Sequence, residues 1–176
     1  VLYPIETSRL VVRPLELEDL EIFISYRQDP EVARFQSWEP TYSKENALEL
    51  IESQAGVLIP TPGQWLQIGI HNLASDELVG DLAIHSLPES DRCFEIGFTI
   101  SRVHQGQGFS KEAASALMKR MFTDQLAVKF VANTDSRNNS SISVLRALGF
   151  KKDPSRSWSE RFKNEDVLVE YFEIHG

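Results

Sequence analysis

Across the stretch QGQGFSKEA, residues 105–113, the spacing of the apolar residues changes period. Ahead of it, CFEIGFTI (93–100) alternates like a half-buried strand; behind it, Ala114, Leu117, Met118, Met121 and Phe122 recur at helical spacing. A strand that enters a Gly-x-Gly turn and leaves as an amphipathic helix confines the chain to folds that seat a helix start beside a sheet. Glycine accepts backbone angles and close approaches that a side chain blocks, and the first turn of a helix has unpaired N–H groups at its positive end. The residues around Gln107 to Ser110 therefore form a candidate anion cradle, suited to a pyrophosphate. The dinucleotide-binding pattern GxGxxG is excluded, because its third glycine is Lys111 here and the preceding strands read as antiparallel. The phosphate-loop pattern GxxxxGK[ST] is absent as well.

Residues 8–15 and then 65–71, 77–85 and 93–100 read as strands, the last three joined by the turn-like NLASD and SLPESDR into an antiparallel meander. Residues 17–29 and 43–54 read as helices, the second with Ser43 as N-cap. A second strand-to-helix unit follows at 129–133 and 139–150, stopped by Gly149. Residues 150–152 and 167–175 are predicted to pair as final strands across a polar loop, DPSRSWSERFKNED, at 153–166. With no internal repeat, low-complexity tract or linker, residues 1–176 are expected to form a single domain of mixed α/β type.

Eighteen Lys and Arg against 26 Asp and Glu leave a net charge of −8, which disfavours nucleic acid and suits a cationic or amine-bearing partner. Cys93 is the sole cysteine, so no intramolecular disulfide forms, in keeping with a reducing cytoplasm. No apolar run approaches the ~18 residues of a membrane span and no signal peptide is read, so a soluble cytoplasmic protein is expected.

Several stretches taken in order resemble the GNAT acetyltransferases. HQGQGFSKEAASALM is similar to their acetyl-CoA motif Q/R-x-x-G-x-G/A, with Gln105, Gly108 and Ser110 at the motif positions; Ser110 departs from the usual Gly or Ala. NNSSISVLRALGF resembles their second helix motif through Asn138, Ser141, Leu148, Gly149 and Phe150. ETSRLVVRPLELEDLEIF and EVARFQSWEP resemble the ribosomal-protein N-acetyltransferase branch. The resemblance implies an α/β fold with a mixed, mostly antiparallel sheet of about seven strands and about four helices. It also implies acetyl-CoA as cosubstrate, no metal, and a small-molecule or protein N-terminal amine as acceptor; members of the family often form homodimers. Phe98, Thr99, Ile100, Gln105, Gly106, Gln107, Gly108, Phe109, Ser110, Lys111, Asn133, Asn138 and Ser141 are the implied acetyl-CoA contacts, and Trp38 and His85 candidate acceptor contacts. Tyr42 and Trp65 are further pocket candidates, and Arg137 and Lys119 further phosphate contacts.

Direct acetyl transfer needs a neutral amine, a polarised thioester carbonyl and a stabilised leaving thiolate. An α-amine of pKa about 7.8 asks less of the enzyme than a lysine near 10.4. The resemblance gives Glu95 the role of base, usually through water, with Asp81 or a strand-held water as alternatives. The tyrosine that many relatives use as acid is Leu145 here, which leaves the Ser141 hydroxyl as donor, helix capping as its other reading, and unaided departure of the thiolate as a third route. Asn138 either orients the acetyl arm or caps its helix, and a backbone N–H near Thr99 and Ile100 would polarise the carbonyl. A non-catalytic acyl-CoA-binding module and a nucleotide-binding protein are the competing functions.

Overall fold

A computed structural model describes residues 1–176. The strands are β1 (Ile5–Glu6), β2 (Leu10–Pro14), β3 (Trp65–Asn72), β4 (Leu78–Ser86), β5 (Cys93–Ile100), β6 (Lys129–Asp135), β7 (Lys151–Lys152), β8 (Trp158–Phe162) and β9 (Glu165–His175). The helices are α1 (Leu20–Arg27), α2 (Pro30–Ala33), α3 (Lys44–Ser53), α4 (Phe109–Thr123) and α5 (Asn139–Ala147). One sheet runs β1-β2-β3-β4-β5-β6-β9-β7, with β8 also on β9. Every pair is antiparallel except β5 with β6.

The meander and both strand-to-helix units fall where the periodicity predicts them. Ser43 caps α3 as expected, accepting from the Asn46 N–H while Asn46 accepts from Ser43 in return. The sheet has nine strands and five helices flank it, more than the sequence reading allowed, and the additions lack periodic signals. α2 is a single turn, started by Asp29 and Pro30. Residues expected as a polar loop become β8, because Lys163 and Asn164 take φ of 47° and 67°. Two successive positive φ values match the right-handed twist of a tight hairpin. Four of the five β8 residues are exposed, so no alternation marked the strand.

The two faces of the sheet are occupied differently because strand residues alternate. Leu66, Ile68, Leu82, Ile84, Phe94 and Ile96 pack with α4 and α5 residues such as Leu117, Met121 and Leu145 in the larger core. A smaller core, built on Phe23, Ile24, Ala47 and Ile51, joins α1 and α3. The intervening positions of β4 and β5, namely Asp81, Ala83, His85, Glu95, Gly97 and Thr99, therefore project to the opposite face from the larger core.

Two hydrogen-bonded carboxylates, Asp19 buried and Glu112 half-buried, make the fold acid-sensitive. Asp19 lies 2.9 Å from His71 Nε2 and 3.2 Å from Arg13 Nη1, and accepts the Glu16 N–H. Burial pushes its carboxyl up, but those hydrogen bonds and the charges of His71 and Arg13 outweigh burial and hold it below the ordinary value of 3.8. Glu112, on the first turn of α4, accepts from Thr7, Ser8 and Arg9; despite burial these partners hold it below 4.5. Groups depressed in the folded state stabilise it above their unfolded pKa, and that contribution is lost as pH falls through the folded value. The midpoint of urea unfolding is expected to be level between pH 7 and pH 5 with respect to these groups and to drop below about pH 4. Equal midpoints at pH 3 and pH 7 would refute this.

Candidate active site

The parallel pairing of β5 with β6 is short. Cys93, Phe94 and Glu95 face Lys129, Phe130 and Val131, and there the pairing stops. β5 stays on β4 as far as Ile100, and β6 stays on β9 as far as Asp135, so the two strands part. Residues 96–100 have no strand partner on the β6 side, where alternate N–H and C=O groups are directed into the gap, and the Ile100 carbonyl accepts from Gln105 Nε2 at 3.0 Å. Where backbone pairing ends, a side chain takes over: Asn133 Nδ2 donates to Glu95 Oε1 at 3.0 Å.

The glycine turn delivers α4 to this opening. Gly106 and Gly108 have φ of 74° and 80°, which an L side chain rarely adopts. A Cβ on Gly106 would meet nothing within 4 Å, and one on Gly108 only Arg9 Nη2 at 3.7 Å. The N–H groups from Gly106 to Lys111 donate to no backbone carbonyl, and the first bond of the helix is Glu112 N–H to Gly108 O. Unpaired donors at a helix start beside an open strand edge fit the pyrophosphate and amide-bearing arm of acetyl-CoA. No group of three or more His, Cys, Asp or Glu side chains is placed to hold a metal ion.

A cavity of about 920 Å³ joins many of the predicted residues. Trp38, Glu95, Phe98, Thr99, Ile100, Gln105, Ser110, Asn133, Asn138 and Ser141 all line it. Gly106, Gln107 and Gly108 lie outside this lining, exposed in the turn; Phe109 is buried and Lys111 is exposed. His85 does not line the cavity either. Its ring stacks on Trp65, with centroids 4.8 Å apart, and its Nδ1 lies 3.8 Å from Glu95 Oε2. Glu95 thus stands between an amide and an imidazole.

Asn138 caps α5, its Oδ1 accepting the Ser141 N–H at 3.1 Å, and Ser141 stands half-buried in the cavity wall. Leu145, at the position of the relatives' tyrosine, is 1% exposed and lines the same wall. Arg137 is held by Asp135 and Glu165, while Lys119 is exposed on α4. Asp81 is buried, accepts the Tyr26 hydroxyl at 2.6 Å and lies 3.5 Å from Arg27 Nη2. Burial pushes its carboxyl up, while Arg27 and the Tyr26 hydroxyl pull it down; the net direction is upward. Sequence reasoning missed Arg27, which lines the cavity, and Arg9, which stands beside Gly108. The available signal for Arg27 was its place in the stripe Leu20, Phe23, Ile24, Arg27, where an apolar residue belongs.

A mixed sheet parted between its two parallel strands, with a glycine-turned helix start at the opening, defines the architecture of the acyl-CoA N-acyltransferases. The sequence pattern of the Acetyltransferase (GNAT) domain matches residues 9–151, and the chain belongs to that family of N-acetyltransferases. It is 28% identical over 168 residues to the Uncharacterized N-acetyltransferase p20 of Bacillus licheniformis, covering 96% of this chain and 93% of that protein. Its fold matches a GNAT-family acetyltransferase of Bacillus anthracis with a TM-score of 0.84, at 20% identity and 97% coverage of both chains. It matches spermidine N-acetyltransferase of Vibrio cholerae, solved with CoA and spermine, with a TM-score of 0.81 at 19% identity and 96% coverage of both chains. GNAT acetyltransferases use acetyl-CoA. No helix is long and apolar enough to cross a membrane.

Proposed function

We propose that this N-acetyltransferase moves the acetyl group of acetyl-CoA to a primary amine by direct attack at the opening between β5 and β6. The observation that carries the reading is the end of pairing at Glu95 and Val131, which places an unpaired strand edge, Glu95, Asn133, Ser141 and the start of α4 around one cavity. Bound acetyl-CoA supplies an activated thioester. Glu95, held by Asn133, takes the proton of the acceptor ammonium directly or through one water. An N–H of the open β5 edge near Thr99 and Ile100 hydrogen-bonds the carbonyl oxygen as it gains charge. The C–N bond forms and the C–S bond breaks; Ser141 donates a hydrogen bond to the departing sulfur, which takes the second proton shed by the nitrogen and leaves as the CoA thiol. The N–H groups of residues 106–111 hold the pyrophosphate, with Arg9, ion-paired to Glu112, beside Gly108.

The acceptor is a small-molecule amine or a protein N-terminus, the latter supported by the likeness of residues 6–23 and 31–40 to the ribosomal-protein branch. A cytoplasmic setting is supported by the presence of a single cysteine, the buried Cys93. The test is a thiol-release assay with acetyl-CoA against peptides of differing N-termini, spermidine, lysine and aminoglycosides. Release with at least one amine class is expected. Thioester left intact with every amine, by protein that binds CoA in a calorimeter, would overturn the reading.

A further inference from the structure

Trp65, His85 and Glu95 form one row across β3, β4 and β5, each facing the next in the ladder. The His85 ring stacks on Trp65 at an interplanar angle of 12°, which fixes its plane. Its two nitrogens then meet different surroundings. Nδ1 is enclosed, has no hydrogen-bond partner and lies 3.8 Å from Glu95 Oε2, whereas Nε2 is not enclosed. Enclosed polar atoms are normally satisfied, and the group placed to satisfy this one is the carboxylate oxygen that Asn133 leaves free, since Asn133 Nδ2 donates to Oε1.

The separation of 3.8 Å is longer than the roughly 2.7–3.2 Å of a hydrogen bond. With the ring proton on Nε2, toward solvent, Nδ1 presents a lone pair and the ionised carboxylate presents another, so two acceptors face one another. One added proton turns them into a charge-assisted hydrogen bond between imidazolium and carboxylate. Acetyl transfer delivers one proton to this place for every amine that enters as its ammonium.

Ordinary acidities decide where that proton rests. A free imidazole, at about 6.5, holds a proton roughly two units more firmly than a free glutamate carboxyl at about 4.3, and stands nearer an α-amine at about 7.8. Removal of the proton is less uphill when its resting place is closer in acidity to the amine. Glu95 is the one charged group in ionic reach of His85. Cys93 shares the cavity face of β5, and Lys129 faces it from β6 but is tied to Glu173. β3 presents Trp65 and Gln67, and α3 sets the uncharged Gln54 on both while its Glu49 and Glu52 are exposed. Arg27, Glu31, Asp81, Asp135 and Glu160 line the cavity, which His85 does not.

We propose that the base of the acetyl transfer described above is a Glu95–His85 pair, an inference that rests on that reading. The proton of the entering ammonium reaches Glu95 Oε2, directly or through one water, and passes to His85 Nδ1. The imidazolium stays paired with the restored carboxylate during attack on the thioester. Once the acetamide has left, the Nδ1 proton returns through Glu95 to the emptied cavity, and the ring is again protonated on Nε2 alone. His85 touches no substrate; it is a positioning residue that stores the proton and so strengthens the base in front of it.

The experiment measures kcat/KM for whichever amine of the panel releases most thiol, at saturating acetyl-CoA and from about pH 5 to 9, for the wild type, His85→Phe and His85→Gln. Phenylalanine keeps the stacking on Trp65, and glutamine can donate to Glu95 but cannot store a proton. The wild-type acid limb is expected to show one ionisation in the imidazole range, near about 6.5. Both variants are expected to lose about tenfold in kcat/KM at neutral pH and to move the acid limb down by more than one unit, with CoA affinity unchanged in a calorimeter. Lower rates with an unmoved limb would give His85 a structural role only, and wild-type rates in His85→Gln would reduce it to a hydrogen bond that orients Glu95; either result overturns the proposal. A wild-type limb in the carboxylate range, below about 5, overturns it too, and decides the matter even if neither variant folds. In all of these outcomes thiol is released and the acetyl-transfer reading stands; absence of release by the wild type with every amine would remove that reading, and the proposal with it.

Discussion

Gly108→Trp is expected to abolish acetyl-CoA binding while leaving the protein folded. Gly108 sits at φ 80°, so any side chain there adopts a left-handed backbone at a cost of about 1–2 kcal/mol. That is a modest fraction of a typical domain stability of about 5–15 kcal/mol. The space around its Cβ position holds only Arg9 Nη2 at 3.7 Å, so an indole has room without entering the core. It would instead cover the donors from Gly106 to Lys111, which have no other backbone partner. Calorimetry should show CoA affinity reduced beyond about a hundredfold, with an unchanged far-ultraviolet circular dichroism spectrum; the reduction corresponds to about 2.7 kcal/mol or more. Wild-type affinity in the variant would show that the phosphates bind elsewhere.

Glu95→Gln should lower kcat about 10²-fold or more, the usual contribution of a positioned general base, while CoA affinity is retained. The variant would depend on acceptor amine that has already lost its proton in solution. For an α-amine of pKa about 7.8, that fraction falls about tenfold per pH unit on the acid side. The deficit should therefore be largest near pH 6 and shrink toward pH 9. Parallel pH profiles for wild type and variant would assign Glu95 a structural part in the link with Asn133 and His85, and would return Asp81 or a strand-held water to consideration as base.

Much of this site was legible before the fold was known, because its parts are local. The period change across QGQGFS marks a strand, a turn and a helix start, and the N–H groups of that start are unpaired in any fold. Asn138 and Ser43 were legible as caps for the same reason, since a cap and its N–H donor lie three residues apart. β8 was not legible: its residues are mostly exposed and its pairing depends on two positive-φ residues without a glycine. The polar setting of Glu95 was hidden too, because His85 and Asn133 reach it from strands on either side.

The sequence by itself determined the antiparallel meander, the two strand-to-helix units and the helix start that suits a pyrophosphate, since each depends on residues within one or two turns of one another. Only the tertiary structure decided that β5 and β6 part after Glu95 and Val131, because strand separation depends on which neighbours compete for each edge. It also turned Arg27 from a misplaced charge on an apolar stripe into the one cation lining an acidic cavity. Its partners Asp81, Trp38 and Tyr42 are 54, 11 and 15 positions away, and no local rule connects residues that burial alone brings together.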